Sequence, residues 1–361
     1  MTSTIAYDIH GILTVVSDVA LPELKAFTVT TDILQPTIRV RTGRVTDTPP
    51  AQPAGRAVTY MESPGQHGFA VHLDLGEHVD IVVAPFLRHS PHVLYTNIVE
   101  PVLRWAFVER GYALVHGACM AVGDRAFLIT ARTDTGKTTT VLKALDAHPE
   151  YRFLSDDLTL LSADGTVLPY PKPLTISRHT LHAVNTPLLT RKERFTLFFQ
   201  SRLHSKSGRW FGLMLTRFNL PMATTNAIVQ WIVPPPKYPI QRLVPHADIA
   251  PNARLSAMVV IERGGARHIE LTHQEAVEAL LANCEDSYGF PPYADIKEHL
   301  YLTPTGDLRD NERRIVSTAM ERCPSIVMRS ETRNWFQMLP DFIGRVVPAS
   351  HPVTPDPIAA D

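Results

Sequence analysis

The stretch 126-AFLITARTDTGKTTTVLKAL-145 constrains the fold more than any other part of this 361-residue chain. An apolar run ends at Thr130, a polar loop follows, and a helical pattern starts near Lys137. Within it, Ala131 to Thr138 fit the relaxed phosphate-loop (Walker A) pattern, with Ala in place of the first Gly. A tight strand-to-helix turn aims successive backbone N–H groups inward, where they cradle an anion. The helix N-terminus adds partial positive charge. Gly136 allows close approach of backbone to phosphate, Lys137 reaches the β- and γ-phosphates, and the Thr138 hydroxyl can ligate Mg²⁺. Arg132, Thr133, Asp134, Thr135, Gly136, Lys137, Thr138 and Thr139 are the expected nucleotide contacts, with ATP and Mg²⁺ as cofactors.

Asp156, nineteen residues after Lys137, and its neighbour Asp157 interrupt the apolar strand 153-FLSDDLTLL-161. Adjacent carboxylates there cost desolvation and repel each other. A bound Mg²⁺ and a phosphoryl acceptor relieve that cost. One carboxylate can hold the metal, and the other can take the proton of an attacking hydroxyl. Side chains alternate across a regular strand, so the two do different jobs or the strand is irregular at that step. A solvated strand end is the plain alternative.

Around this centre the chain reads as mixed. Residues 1–95 are β-rich, with 69-FAVHLDL-75 alternating at the period of a half-buried strand. The segment 45-VTDTPPAQPAGR-56 reads as a loop. A helix is expected from about Asn97 to Arg110, capped by Thr96 or Asn97 and ended by Gly111. The strands 112-YALVHGACMAV-122 and 125-RAFLIT-130, separated by Gly123-Asp124, should form a hairpin. A further core strand is expected at 255-LSAMVVIE-262, and Thr272 and Glu275 form a capping box for the next helix. Residues 347–361 are Pro-rich and read as a disordered tail.

The formal net charge of −1 gives no global pull toward nucleic acid. The three cysteines lie far apart without a CxxC pair, so neither a zinc site nor a disulfide framework is expected. No apolar run reaches the roughly 18–20 residues of a membrane span, and residues 1–11 do not read as a signal peptide. A cytoplasmic location is expected, or one peripheral to the inner face of the membrane.

His116-Gly117, the hairpin, Ala131–Thr138 and the strand ending in Asp156-Asp157 together resemble the HPr kinase/phosphorylase group, in order and spacing. The resemblance is good over about 96–175 and weaker over 255–345. It implies a mixed-sheet P-loop nucleotide-binding core of the phosphoenolpyruvate carboxykinase-like fold over 96–346, behind the β-rich N-terminal region. It also implies transfer of the ATP γ-phosphate to a hydroxyl. The catalytic set would be Asp157, Asp156, His116 and Lys137, with Thr138 and Asp156 at the metal. The plain alternative for His116 is a buried, hydrogen-bonded strand histidine. That family's downstream HPr-binding segment has no convincing match here. The acceptor is therefore expected to be a small polar or anionic molecule or a peptide or protein serine. A nucleotide-binding regulatory or assembly protein is the alternative of another class.

Residues 186–246 hold nine basic residues against one acid, a balance of +8 that leaves −9 on the rest of the chain. Eight aromatics are interleaved, Phe195, Phe198 and Phe199 among them. Four readings stay open: a substrate-gripping lid, an anionic membrane surface contact, a protein or homo-oligomer interface, and nucleic-acid stacking. Lys172, Arg178 and Arg254 are further candidate phosphate contacts, with ordinary surface cations as the competing reading.

Overall fold

Period-2 alternation builds the first sheet. The computed structural model describes residues 4–45, 56–62, 67–132, 135–176, 221–286, 288, 291–303 and 306–346. Its first seven strands are β1 (Ile5–Ile9), β2 (Leu13–Ser17), β3 (Thr28–Val29), β4 (Ile38–Thr42), β5 (Arg56–Met61), β6 (Ala70–Leu75) and β7 (Val79–Val83). They form one mixed sheet in the order β3-β1-β2-β4-β7-β6-β5. The apolar run at 7–16 is a hairpin, turned by His10 and Gly11 at φ 58° and 68°. Positive φ at both central residues matches the right-handed twist of the flanking strands.

A second sheet carries the site. Its strands are β8 (Tyr112–His116), β9 (Ala118–Val122), β10 (Arg125–Thr130), β11 (Tyr151–Ser155), β12 (Leu158–Ser162), β13 (Thr166–Leu168), β14 (Ala253–Glu262), β15 (Arg267–Leu271) and β16 (Ser325–Arg329). β10, β14 and β16 run parallel, while β9 pairs antiparallel with both β10 and β11. One face is covered by the helices Lys137–Ala147 and Trp335–Val346. The other packs on the helices Glu100–Val108, His273–Asp286 and Leu308–Met320, in a core continuous with the N-terminal sheet. The protein is therefore a mixed α/β structure.

The helix expected from Asn97 starts earlier, at Pro91, and passes through a π-helical turn at Tyr95–Val99 before continuing as Glu100–Val108. Thr96 does not cap it; its hydroxyl donates back to the His92 carbonyl. Pro91, preset for a first helical turn, sets the start instead. The capping box forms as expected: Thr272 N–H donates to Glu275 Oε2 and Glu275 N–H to Thr272 Oγ1. Residues 186–220 of the basic stretch, Arg178, and 347–361 lie outside the described residues. Among the described residues no helix is long and apolar enough to cross a membrane.

Both strands that carry candidate residues are broken, and the breaks meet. The run 112–122 splits at Gly117: β8 pairs with β12, while β9 pairs with β10 and β11. The run 151–162 splits at Asp156-Asp157. Gly117 N–H donates to the Asp157 carbonyl at 3.0 Å, joining the two breaks. Side chains satisfy three further backbone groups beside the break. Thr159 Oγ1 donates to the Gly117 carbonyl and Thr130 Oγ1 to the His116 carbonyl, both at 2.9 Å. His116 N–H donates to Cys284 Sγ at 3.1 Å.

A Cβ at position 117 would lie 2.9 Å from Leu128 Cδ1 and 3.2 Å from the Ile129 carbonyl oxygen. Gly117→Ala is therefore expected to destabilise the fold by about 1–3 kcal/mol. A denaturant titration checks this, and an unchanged midpoint contradicts it.

Candidate active site

The loop after β10 turns at Gly136, whose φ of +131° is open to glycine and strained for other residues. A Cβ there would lie 3.3 Å from Trp335 Cζ3. Trp335 is fully buried under the turn, its indole N–H donating to the Met328 carbonyl at 3.0 Å. The helix that follows begins at Lys137, so its first-turn N–H groups face the loop mouth without intrahelical partners. Thr135 folds back, its hydroxyl donating to the Arg132 carbonyl at 2.8 Å, and the Arg132 side chain is exposed. Thr133 and Asp134 lie outside the described residues. Thr139 is half-buried in the first helical turn.

Lys137 is the pivot. Its ammonium donates to the Ala131 carbonyl at 3.1 Å and lies against His116 Nε2. Burial holds its pKa below the ordinary lysine value, against the pull of Asp157 and Asp156. With Nε2 accepting from the ammonium, a neutral His116 ring carries its hydrogen on Nδ1, 3.6 Å from Asp157 Oδ1. Burial pushes His116 down to about 4 in spite of Asp157, so the ring is neutral near pH 7.

The two aspartates occupy different environments. Asp156 is buried, and the Thr138 hydroxyl donates to its Oδ2 at 3.0 Å. Its Oδ1 is buried with no hydrogen-bond partner. Burial, then repulsion from Asp157, pushes it up to about 7. Asp157 keeps 42% of its side chain open and takes the Lys172 ammonium on Oδ2 at 2.8 Å. Burial acts to raise its pKa, but Lys172, His116 and Lys137 outweigh it and hold the carboxyl well below the usual range. Neighbouring groups driven apart in this way are suited to different roles.

Lys172 is therefore no surface cation. It is buried and also donates to Glu100 Oε2 at 2.9 Å. Arg254 is not at the loop: it sits opposite Arg125, at the other end of β10, and donates to the Asp164 carbonyl. Lys237, counted in the basic stretch, is neutralised internally by buried Glu23 beside His92. Residues that sequence reasoning missed include Glu100, Asn283, Cys284 and Trp335. Asn283 Nδ2 donates to Thr130 Oγ1 at 3.1 Å, tying the helix His273–Asp286 to the end of β10. No local motif marks these residues.

Among the described residues no group of three or more His, Cys, Asp or Glu is arranged to hold a metal ion. Thr138 and Asp156 nonetheless fit Mg²⁺, which usually takes one or two protein oxygens and completes its shell from phosphates and water. The partnerless Asp156 Oδ1 is the feature such an ion would satisfy. A cavity of about 690 Å³ lies elsewhere, and most of the charges that line it are already paired, as in Arg104–Glu312 and Arg309–Asp307. The candidate residues gather at the loop instead. No family model and no curated protein matches this chain.

Asp156 holds its proton more tightly folded than unfolded, so its ionisation weakens the fold as pH rises toward 7. Without metal, Asp156→Asn is expected to raise stability above about pH 7 by on the order of a few kcal/mol, the gain fading toward about pH 4. Thermal unfolding across that range checks it, and a pH-independent difference contradicts it.

Proposed function

We propose that this chain is an ATP- and Mg²⁺-dependent phosphotransferase acting on a hydroxyl acceptor, on a P-loop core of the HPr kinase-like kind. The observation that carries the reading is convergence. The lysine-tipped loop and the Asp-Asp step come from separate elements, yet Thr138 touches Asp156, and His116 lies between Lys137 and Asp157. The parallel β10–β14–β16 unit and the antiparallel β9 beside β10 support the same core.

Each residue then has a distinct task. The loop amides and Lys137 bind the phosphate chain and offset its charge. Thr138 and Asp156 would hold the metal, with Arg132, Gly136 and Thr139 flanking the phosphates. Bound Mg²⁺ supplies charge neutralisation of the phosphate oxygens. Asp157, held ionised, orients the acceptor hydroxyl. The acceptor oxygen bonds to the γ-phosphorus as the β–γ bridging oxygen departs, and the hydroxyl proton passes to Asp157. Phosphoryl transfer has a loose transition state, so orientation matters more here than early proton removal. Neutral His116 stands between Lys137 and Asp157 and accepts from the ammonium at Nε2, a contact the ammonium exchanges for phosphate oxygen when nucleotide binds.

Calorimetry with Mg²⁺·ATP and ADP release with serine-peptide or polyol acceptors test the reading. Lys137→Ala is expected to abolish binding. Asp157→Asn should retain binding but lose about 10²–10⁴-fold in acceptor-dependent ADP release. Absence of nucleotide binding by the unaltered chain overturns the proposal, and tight binding with no transfer favours a regulatory nucleotide-binding protein.

A further inference from the structure

Resting on that reading, we infer that Lys172, anchored by Glu100, is a positioning residue that fixes the Asp157 carboxylate at the loop. One ammonium bridges two carboxylates from distant parts of the chain, at 2.8 Å to Asp157 Oδ2 and 2.9 Å to Glu100 Oε2. Lys172 occupies Oδ2 and leaves Oδ1 on the His116 side. A carboxylate at a strand break, with 42% of its side chain open, would otherwise be free to rotate. The bridge removes that freedom.

The surroundings hold Lys172 still. It sits in 169-PYPKP-173, where the prolines fix φ and the Lys172 N–H donates to the Tyr170 carbonyl at 2.8 Å, closing a γ-turn around Pro171. Tyr170, two residues earlier, is fully buried and shares a 2.8 Å hydrogen bond with the Tyr95 hydroxyl. The Lys172 ammonium lies 5.7 Å from the Tyr95 ring. Tyr95 opens the π-helical turn that leads directly to Glu100, and such turns recur at functional sites. Stability alone does not account for the cluster. Buried ion pairs are weak stabilisers, and this one leaves Glu100 pushed up to about 7 by burial despite Lys172.

The test compares full-length wild type, Lys172→Met and Lys172→Arg by calorimetry with Mg²⁺·ADP, with and without aluminium fluoride. Aluminium fluoride mimics the transferring phosphoryl group, and water serves as acceptor, so no acceptor need be known. Tight binding of a transition-state mimic reports oriented catalytic groups. Wild type is expected to gain about 100-fold in affinity from aluminium fluoride. Lys172→Met should lose most of that gain while Mg²⁺·ADP affinity stays within about threefold, and Lys172→Arg should recover it. A full gain in folded Lys172→Met overturns the inference. If Lys172→Met does not fold, Lys172→Met with Glu100→Gln, which removes one charge of each sign, carries the same comparison. Failure of wild type to bind Mg²⁺·ADP sinks the phosphotransferase reading itself, a result distinct from loss of the positioning role.

Discussion

The hydrogen bond from Gly117 N–H to the Asp157 carbonyl joins two broken strands at one point. A regular β8–β9 strand would keep His116 and Gly117 in a single ladder. A regular β11–β12 strand would throw Asp156 and Asp157 to opposite faces. Breaking both at the same level frees the two aspartates from that alternation. Asp156 meets Thr138 at the start of the helix, and Asp157 meets His116 and Lys172. Glycine is needed at 117 because Leu128 and the Ile129 backbone approach too closely for a side chain. Side chains from β10, β12 and the helix His273–Asp286 take up the His116 and Gly117 carbonyls and the His116 N–H, which lowers the cost of the break.

Electrostatics follows from this geometry. Three carboxylates (Asp156, Asp157 and Glu100) and two ammonium groups (Lys137 and Lys172) gather around a histidine held neutral by burial. Asp157 and Glu100 share Lys172. Asp156 is left with one hydroxyl and a partnerless oxygen, and burial raises its pKa. With all three carboxylates ionised the set carries one negative charge in excess, beside the Thr138 hydroxyl. The phosphotransferase proposal supplies a cation and an anionic substrate in the same place.

Local chemistry made part of this legible in sequence. The strand–loop–helix around Lys137, the Thr272 capping box and the anomaly of two aspartates in an apolar strand each depend on residues a few positions apart. Alternation left two outcomes at Asp156-Asp157, opposite faces of a regular strand or an irregular step, and the strand is broken there. The helix start was misplaced because Thr96 resembled a cap, whereas Pro91 and a π-helical turn set the geometry. Lys172 showed as a cation but not as a buried one, since Glu100 lies 72 positions away in the chain. Asn283, Cys284 and Trp335 act through contacts spanning the sheet or lying beneath the loop, and no short pattern encodes those. Lys237, counted among the cations of the basic stretch, is paired with Glu23 within the fold, a partner 214 positions away that no local pattern indicates.

The central claim is that the Lys137 turn and the Asp156-Asp157 step serve one phosphoryl group. A crystal structure with a nonhydrolysable ATP analogue and Mg²⁺ tests it most directly. The account predicts phosphates at the Lys137 turn, the ion between Thr138 and Asp156, and Asp157 facing the terminal phosphoryl group. Phosphates bound away from that turn, or an Asp157 carboxylate directed away from the terminal group, would contradict it.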